Sequence, residues 1–186
     1  MPPLRLEWMF VKELMMRTDW HTYFLDIALR CAKQGTCRRR NRGAIIVDEH
    51  RRIISTGYTG VVSGAKHCIE LDDCMREYYS IPSGSNYEFC RSVHAEMNAL
   101  LQAGIDRARG CYLYLAGVDP DGSIIEHDAP CLLCAKLIVQ CQIKAVVILQ
   151  ADGSYSIHHP AALLSFRSSE AVDRISMMPT GGETTE

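Results

Sequence analysis

The sequence predicts a layered α/β fold with a central sheet whose later strands are parallel. Two observations favour it. In the second half of the chain, β-rich runs alternate with helical runs, which is typical of parallel strands joined by crossover helices. The chain also has 186 residues, of which 47% are hydrophobic, so it can bury a proper core and is near the usual size of one domain.

The first half of the chain predicts helices followed by a hairpin. Apolar residues recur at helical spacing near the start, so residues 1–18 are expected to form a helical N-terminal extension. Asp19 can cap a further helix over 20–33. The β-rich runs 42–48 and 52–58, joined by a short polar turn, then predict two antiparallel strands.

The second half alternates helices with strands. Helical patterns cover 94–103 and 131–140, while apolar runs at 111–116 and 145–149 predict strands. Residues 59–92 between the two halves have no clear periodicity. A connection that long in a compact domain usually carries a function or needs a staple.

Charge and cysteine content narrow the expected partners and compartment. The formal net charge is −2, so there is no overall basic surface of the kind that binds nucleic acid or anionic membranes, and a small-molecule substrate is expected instead. The first residues contain no continuous apolar run for a signal peptide or a membrane span. Nine cysteines without an export signal favour a reducing, cytoplasmic location, where thiols bind metal, react or pack.

Two short motifs carry the candidate chemistry, and each lies where a loop enters a predicted helix. The first is His-Ala-Glu at 94–96, and the second is Pro-Cys-Leu-Leu-Cys at 130–134. His94, Cys131 and Cys134 together offer one imidazole and two thiolates. Three protein ligands leave the fourth tetrahedral position of zinc to water, which is typical of a catalytic rather than a structural site. A helix N-terminus also favours thiolates.

Glu96 completes the chemistry that hydrolysis of an amine requires. Zinc lowers the pKa of bound water from ~16 toward roughly 7, so a nucleophile is available at neutral pH. Glu96 lies two residues after His94 and need not bind the metal. Its carboxylate can therefore take a proton from water and pass it to the ring nitrogen and the leaving amine. The combination matches the established signature of zinc-dependent nucleobase deaminases.

With these motifs the sequence resembles the cytidine and deoxycytidylate deaminases over about residues 20–149. It is most similar to the deoxycytidylate (dCMP) deaminases and the related late-competence proteins of bacteria. Beyond the two motifs, the matching segments are Arg-Gly-Ala-Ile-Ile-Val at 42–47, Gly-Tyr-Thr-Gly at 57–60, the loop 68–74, Ile-Pro-Ser-Gly at 81–84 and the run 90–99.

The resemblance implies a three-layer α/β/α fold, in which helices flank a central mixed five-stranded sheet. The deaminase domain is then expected over 19–178, followed by a disordered tail at 179–186. The implied reaction is hydrolysis of dCMP to dUMP and ammonia, with zinc as the cofactor. The resemblance also implies a homo-oligomer, either a dimer or a hexamer, and regulation by dCTP and dTTP.

Two departures from the family pattern bear on the substrate. Thr59 stands where dCMP deaminases usually carry an asparagine that contacts the substrate. The segment 117–129 is longer than the family's usual link between strand and Pro130, and it is rich in acidic residues. These residues either line the mouth of the pocket or form a solvated acidic loop.

Cys37, Cys68, Cys74 and Cys90 are candidates for a second zinc site. A closed site of four thiolates is structural and would tie down the long connection. The resemblance supports this prediction, because some dCMP deaminases carry a second zinc bound by residues that match Cys37 and Cys68 in position. The alternative is that these thiols bind no metal.

The run 38–42 contains four arginines and is the basic cluster of the sequence. Guanidinium groups bind phosphate through two parallel hydrogen bonds, so the cluster suits a nucleotide. The alternative is a solvated basic turn or intersubunit salt bridges. No aromatic residues are interleaved with the cluster, so single-stranded nucleic acid is not expected. The candidate substrate contacts are Arg38, Arg40, Arg42, Thr59 and Ala95.

Two other functions stay open at this point. One is deamination of another cytosine or amino-heterocycle substrate, such as a nucleoside, a free base or a nucleobase in nucleic acid. The other is a non-catalytic zinc-binding or nucleotide-binding module. Glu96 argues against this second alternative, because a structural site has no need of that carboxylate.

Overall fold

The computed structural model describes residues 17–82, 85–126 and 129–164. Most of the predicted N-terminal extension and the whole predicted C-terminal tail lie outside these ranges. None of the helices in the described ranges combines the length and the apolar character that crossing a bilayer requires.

The strands form a central sheet and a small separate one. Along the described chain they are β1 (Asn41–Val47), β2 (Ile53–Tyr58), β3 (Gly60–Val61), β4 (Ser92–Val93), β5 (Tyr112–Val118), β6 (Ala145–Leu149) and β7 (Tyr155–His158). The central sheet has five strands in the order β2-β1-β5-β6-β7, and β3 pairs with β4. β5 and β6 are parallel and the other neighbours in the central sheet are antiparallel, so the sheet is mixed, as predicted.

The helices begin close to where the sequence predicts them. In the described residues they are α1 (Trp20–Ala32), α2 (Met75–Tyr78), α3 (Ala95–Ala103), α4 (Ile105–Ala108) and α5 (Leu132–Gln140). Asp19 caps α1, as predicted, since its carboxylate accepts hydrogen bonds from the N–H groups of His21 and Thr22. Short 3₁₀ helices cover Cys68–Glu70, Tyr87–Phe89 and Pro160–Leu163.

Helices cover both faces of the central sheet, which gives the three layers that the resemblance implies. On one face, α1 packs on a cluster that includes Ile45 and Val47 of β1. On the other face, α3 and α5 pack on a cluster that includes Ala44 and Ile46. This division follows from the strand geometry, because successive side chains of a strand point to opposite faces.

Gly57 allows α3 to approach β2 closely. A Cβ atom on Gly57 would lie 2.2 Å from the carbonyl oxygen of Ala95 and 2.5 Å from the backbone nitrogen of Ala99. The hydroxyl of Ser55 donates a hydrogen bond to the carbonyl oxygen of Ala99 over 2.8 Å. These backbone contacts fix the first turns of α3 on the sheet, and with them the motif at 94–96.

The long connection is held at both ends and in the middle. Its ends meet where β3 pairs with β4. In the middle, the buried guanidinium of Arg76 donates to the carbonyl oxygens of Pro82 and Asn86 over 2.6 and 3.0 Å. It also lies over the ring of Tyr87, 4.8 Å from the ring centroid. The contacts of a buried arginine therefore help to hold this segment in place.

The sequence does not predict β7, which forms one edge of the central sheet. This strand has only four residues, the shortest length at which alternation indicates a strand, and its apolar residues Tyr155 and Ile157 are the exposed ones. It pairs antiparallel with β6. The two later strands that the sequence predicts are β5 and β6, and they are parallel as predicted.

Candidate active site

The two motifs lie at the N-termini of α3 and α5, on the same face of the sheet. His94 is the N-cap residue of α3 and Cys131 is that of α5. The side-chain amide of Asn98 donates to the carbonyl oxygen of Tyr58 over 2.8 Å, which ties α3 to the end of β2. The N–H of Cys134 donates to the Sγ of Cys131 over 3.5 Å, as expected for a sulfur at a helix N-terminus.

One imidazole nitrogen and two sulfurs converge between the two helices. The Nδ1 of His94 lies 3.3 Å from the Sγ of Cys131 and 3.4 Å from the Sγ of Cys134. All three atoms lie within 4.8 Å of one another, and no other such trio of candidate ligands occurs in the described parts of the chain. The three side chains thus meet as predicted, and a set of one nitrogen and two sulfurs suits zinc.

The two thiols of this trio do not titrate alike. A hydrogen bond from Cys134, together with one from His94, lowers the pKa of the Cys131 thiol to about 4. The hydrogen bond to Cys131, with burial, raises the pKa of Cys134. The hydrogen bond with Cys131 raises the pKa of His94 in turn. The site therefore holds a thiolate at neutral pH, which is the form that binds metal.

Glu96 lies fully buried beside these ligands. Both of its carboxylate oxygens are buried, and neither accepts a hydrogen bond from any described residue. The negative charge of Glu96 raises the pKa of both His94 and Cys134, which places the carboxylate next to them. A buried polar group without a partner is costly, so this carboxylate fits a site completed by a metal and the water it carries.

A pocket opens next to the histidine of this trio. His94 and Thr59 line it, and so do all four arginines of the 38–42 run. The four cysteines proposed for a second zinc also line it. Glu96, Cys131 and Cys134 are not part of the lining.

Two of the predicted substrate contacts are largely buried. Thr59 is 8% exposed, and its Oγ1 accepts a hydrogen bond from the N–H of Arg42 over 3.0 Å. Ala95 is fully buried in the first turn of α3 and does not line the pocket. A role of either residue in binding the substrate stays a prediction.

The arginines of the cluster are held in different ways. Arg38 donates to two backbone carbonyl oxygens of the long connection, those of Leu71 and Asp72. Arg39 lies 3.6 Å from a carboxylate oxygen of Glu77, and Arg40 lies 3.2 Å from one of Asp119. Arg42 has no such contact within the described ranges, and its charge lowers the pKa of His94 and Cys134.

The four cysteines of the predicted second site line one pocket without forming a compact set. Burial raises the pKa of the Cys68 thiol, and the nearby charges of the other three cysteines raise it further. The Sγ of Cys68 lies 3.6 Å from the hydroxyl oxygen of Ser92. Because the trio around His94 is the one group of three ligand atoms within 4.8 Å in the described residues, the second site stays a prediction.

Arg76 and Tyr87 support the site in a way that the sequence does not predict. The ring of Tyr87 packs edge-on against the imidazole of His94, with 4.8 Å between centroids. The guanidinium of Arg76 lies over the same Tyr87 ring. No sequence signal distinguishes Arg76 from a solvated arginine in a loop, because its burial depends on contacts within the long connection.

The acidic segment after β5 folds into its own turn. Val118 and Ile124 form a β-bridge, and the carboxylate of Asp121 accepts hydrogen bonds from the N–H and hydroxyl of Ser123. Asp119 contacts Arg40 in the pocket wall. Residues 127 and 128 lie outside the described residues.

Comparison with known proteins agrees with this geometry. The family model described as the cytidine and deoxycytidylate deaminase zinc-binding region matches residues 18–150. A deoxycytidylate deaminase of Schizosaccharomyces pombe is 35% identical over 80% of this chain, and one of Mycobacterium phage D29 is 36% identical over 72%. The chain covers 42% of the yeast protein and 96% of the phage protein, so it spans less than half the length of the first relative.

A solved structure supports the same relationship. The crystal structure of a dCMP deaminase from the cyanophage S-TIM5, in complex with dCMP and dUMP, is 26% identical and has a TM-score of 0.50. The match covers 72% of this chain and 82% of that one. The resemblance that the motifs indicate is therefore confirmed at the level of sequence and of fold.

Proposed function

This chain belongs to the cytidine and deoxycytidylate deaminase family, and we propose that it hydrolyses dCMP to dUMP and ammonia. The observation that carries the proposal is the buried, unpartnered carboxylate of Glu96 beside the trio of His94, Cys131 and Cys134. A purely structural zinc site needs no such group. The relatives named deoxycytidylate deaminase support dCMP as the substrate.

His94, Cys131 and Cys134 would hold a catalytic zinc ion. When bound, zinc supplies Lewis-acid chemistry that makes water nucleophilic at neutral pH. Two helix N-termini anchored on the sheet present these ligand atoms, so the backbone fold sets their positions. Such preorganisation is what a catalytic centre requires.

Glu96 would move the protons of the reaction. Hydrolysis forms a C4–O bond and breaks the C4–N bond of the exocyclic amine. Of the two protons of water, one goes to ring nitrogen N3 and the other to the amine, which leaves as ammonia. A single carboxylate that accepts each proton from water and donates it in turn can carry out both transfers. Because Glu96 is fully buried, bulk water does not compete for these protons.

A related reaction is the second candidate. The hydroxyl oxygen of Thr59 accepts a hydrogen bond from the backbone N–H of Arg42, whereas dCMP deaminases usually carry a substrate-contacting asparagine at this position. This observation favours testing other cytosine compounds alongside dCMP. A nucleoside or a free base would use the same zinc ligands and the same Glu96.

A second zinc ion and self-association belong to the same proposal. Cys37, Cys68, Cys74 and Cys90 line one pocket, which supports the proposal that their sulfurs bind one ion. We also propose a homo-oligomer, and light scattering would measure its mass. The support is that leucines on the two motif-bearing helices are exposed, among them Leu101 and Leu133.

Substitution of Glu96 tests the proposed reaction. Zinc-loaded protein should deaminate dCMP within a panel of CMP, dCTP, deoxycytidine, cytosine and a short oligonucleotide, followed by ultraviolet absorbance. Glu96→Gln should lower kcat by about 10³-fold or more with unchanged zinc content. The matched control is Glu49→Gln at an exposed hairpin turn, which should keep full activity. Undiminished activity of Glu96→Gln would contradict the mechanism.

A further inference from the structure

Arg42 differs from the other arginines of the basic run because its guanidinium has no hydrogen-bond or ion-pair partner among the described residues. The other three arginines are held by backbone carbonyls or by carboxylates. Within the described ranges, Arg42 makes hydrogen bonds through its backbone and none through its side chain. Its side chain is half-buried at the start of β1.

The register of β1 directs Arg42 toward the proposed metal centre. Ala44 and Ile46 lie in the cluster under α3 and α5. Arg42 precedes Ala44 by two residues, and residues two apart in a strand share a face. Arg42 therefore lies on the face of the zinc ligands, and it lines the pocket together with His94 and Thr59.

Gly117 leaves room for the stem of Arg42. It is the cross-strand partner of Arg42 on β5. A Cβ atom on Gly117 would lie 3.3 Å from the Cγ of Arg42 and 3.0 Å from the Cδ1 of Ile125. A larger residue at this position would crowd the arginine stem, so glycine allows its present course along the sheet.

Thr59 anchors the base of the same side chain. The N–H of Arg42 donates to the Oγ1 of Thr59 over 3.0 Å, and the N–H of Thr59 donates to the carbonyl oxygen of Arg42 over 2.9 Å. The backbone is thus fixed while the guanidinium stays available. A half-buried cation without a counter-ion is unfavourable unless a ligand brings an anion, and phosphate oxygens match the donors of a guanidinium.

We propose that Arg42 binds the phosphate of the nucleotide substrate and so sets the preference for nucleotide over nucleoside. The proposal rests on the proposed deaminase function, which supplies that substrate. It gives Thr59 the role of a positioning residue, which holds the backbone of Arg42 instead of contacting the substrate.

Paired substrates test this role. Arg42→Gln should lower kcat/KM for dCMP by about 10- to 100-fold, the usual effect of losing hydrogen bonds to a charged group. It should lower kcat/KM for deoxycytidine much less, because that substrate has no phosphate for the guanidinium to bind. The control Arg30→Gln, at an exposed position in the last turn of α1, should change neither. Equal losses on both substrates, or full activity on dCMP, would overturn the proposal.

Binding of the product separates this proposal from the deaminase function. By calorimetry, wild-type protein should bind dUMP more tightly than deoxyuridine, and Arg42→Gln should lose the difference. Arg42→Lys keeps the charge without the planar guanidinium, so it should retain part of the preference for dUMP over deoxyuridine. It replaces Arg42→Gln if that variant does not fold. A wild-type protein that shows the dUMP preference without deaminating any cytosine compound refutes only the function. A protein that deaminates dCMP while Arg42→Gln keeps the preference refutes only the role of Arg42.

Discussion

The two groups of cysteines near the pocket are held by different parts of the fold. Cys131 and Cys134 lie within one turn of α5, whose buried face packs on the central sheet. The other four lie outside the central sheet and the long helices, and Cys68, Cys74 and Cys90 lie in the stretch between β3 and β4. The first pair and His94 already lie within ligand distance of one another, and the second group does not.

This contrast separates a metal site that the fold positions from one in which the metal would contribute to folding. Backbone contacts between α3 and β2 fix His94, so the fold itself positions this ligand. The four loop cysteines have no comparable scaffold, so an ion there would contribute the order itself, as structural zinc does in small domains. Loss of metal from the site of His94, Cys131 and Cys134 should therefore lower activity, and loss of metal from the four loop cysteines should lower stability.

Serine variants of the two groups of cysteines should show the largest difference, in activity on one side and in zinc content and stability on the other. Cys134→Ser should lower activity to the uncatalysed background, because it removes one of three ligands of the proposed catalytic ion. Cys74→Ser should keep the chemistry while it lowers zinc content and the melting temperature. Zinc per chain by elemental analysis, the melting temperature and turnover of dCMP give the comparison.

Cys31→Ser is the matched control for both variants. Cys31 is a half-buried free thiol on α1, outside both groups, so zinc content and activity should not change. Equal zinc content in Cys74→Ser and in the wild type would remove the second site. Full activity of Cys134→Ser would contradict the proposed catalytic centre.

A smaller effect is expected from the scaffold of the first site. Gly57→Ala places a Cβ atom against the backbone of α3, 2.2 Å from the carbonyl oxygen of Ala95. Since backbone cannot move aside cheaply, we expect the free energy of unfolding to fall by about 1–3 kcal/mol and kcat to fall with it. Denaturant unfolding and dCMP turnover measure the two effects.

Gly64→Ala provides the comparison for that variant. Gly64 lies in the long connection, with φ at +83° and no heavy atom within 4 Å of a Cβ placed there. Its substitution strains only the local backbone, at a cost of about 1 kcal/mol, and should leave kcat unchanged. If Gly57→Ala is as active and as stable as Gly64→Ala, the close packing of α3 on β2 does not position the site.

The parts of the site that the sequence predicts are those encoded within one turn of a helix. The triplet 94–96 and the pair Cys131 and Cys134 each need only local structure, and both helices form where their patterns predict. The meeting of His94 with two sulfurs that lie 37 and 40 residues away depends on the sheet between them. For that step, the prediction rests on the chemistry of a three-ligand zinc site and on the deaminase signature, which local patterns do not contain.

The features that escape the sequence depend on contacts between distant segments. Arg76 reads as a loop arginine and is buried, because two carbonyl oxygens of its own connection surround it. Among the described residues, the guanidinium of Arg42 has no partner, whereas those of Arg38, Arg39 and Arg40 do. The sequence does not show this difference, because the partners come from distant segments. β7 is missed for a different reason, since an alternation of only four residues whose apolar side chains are exposed is too short to indicate a strand.

The smallest and most local contrast concerns the reactivity of single thiols in metal-free protein. The pKa of Cys131 is lowered to about 4, whereas burial raises that of Cys68 above its ordinary value of 9.0. A thiol reacts as the thiolate, which forms as the pH rises through its pKa. Near pH 7 iodoacetamide should therefore label Cys131 first, and Cys68 should react appreciably only above about pH 9. Mass spectrometry of peptides gives the order, and zinc added beforehand should protect Cys131. If Cys68 reacts first at neutral pH, the two groups do not differ in electrostatics as their surroundings in the fold imply.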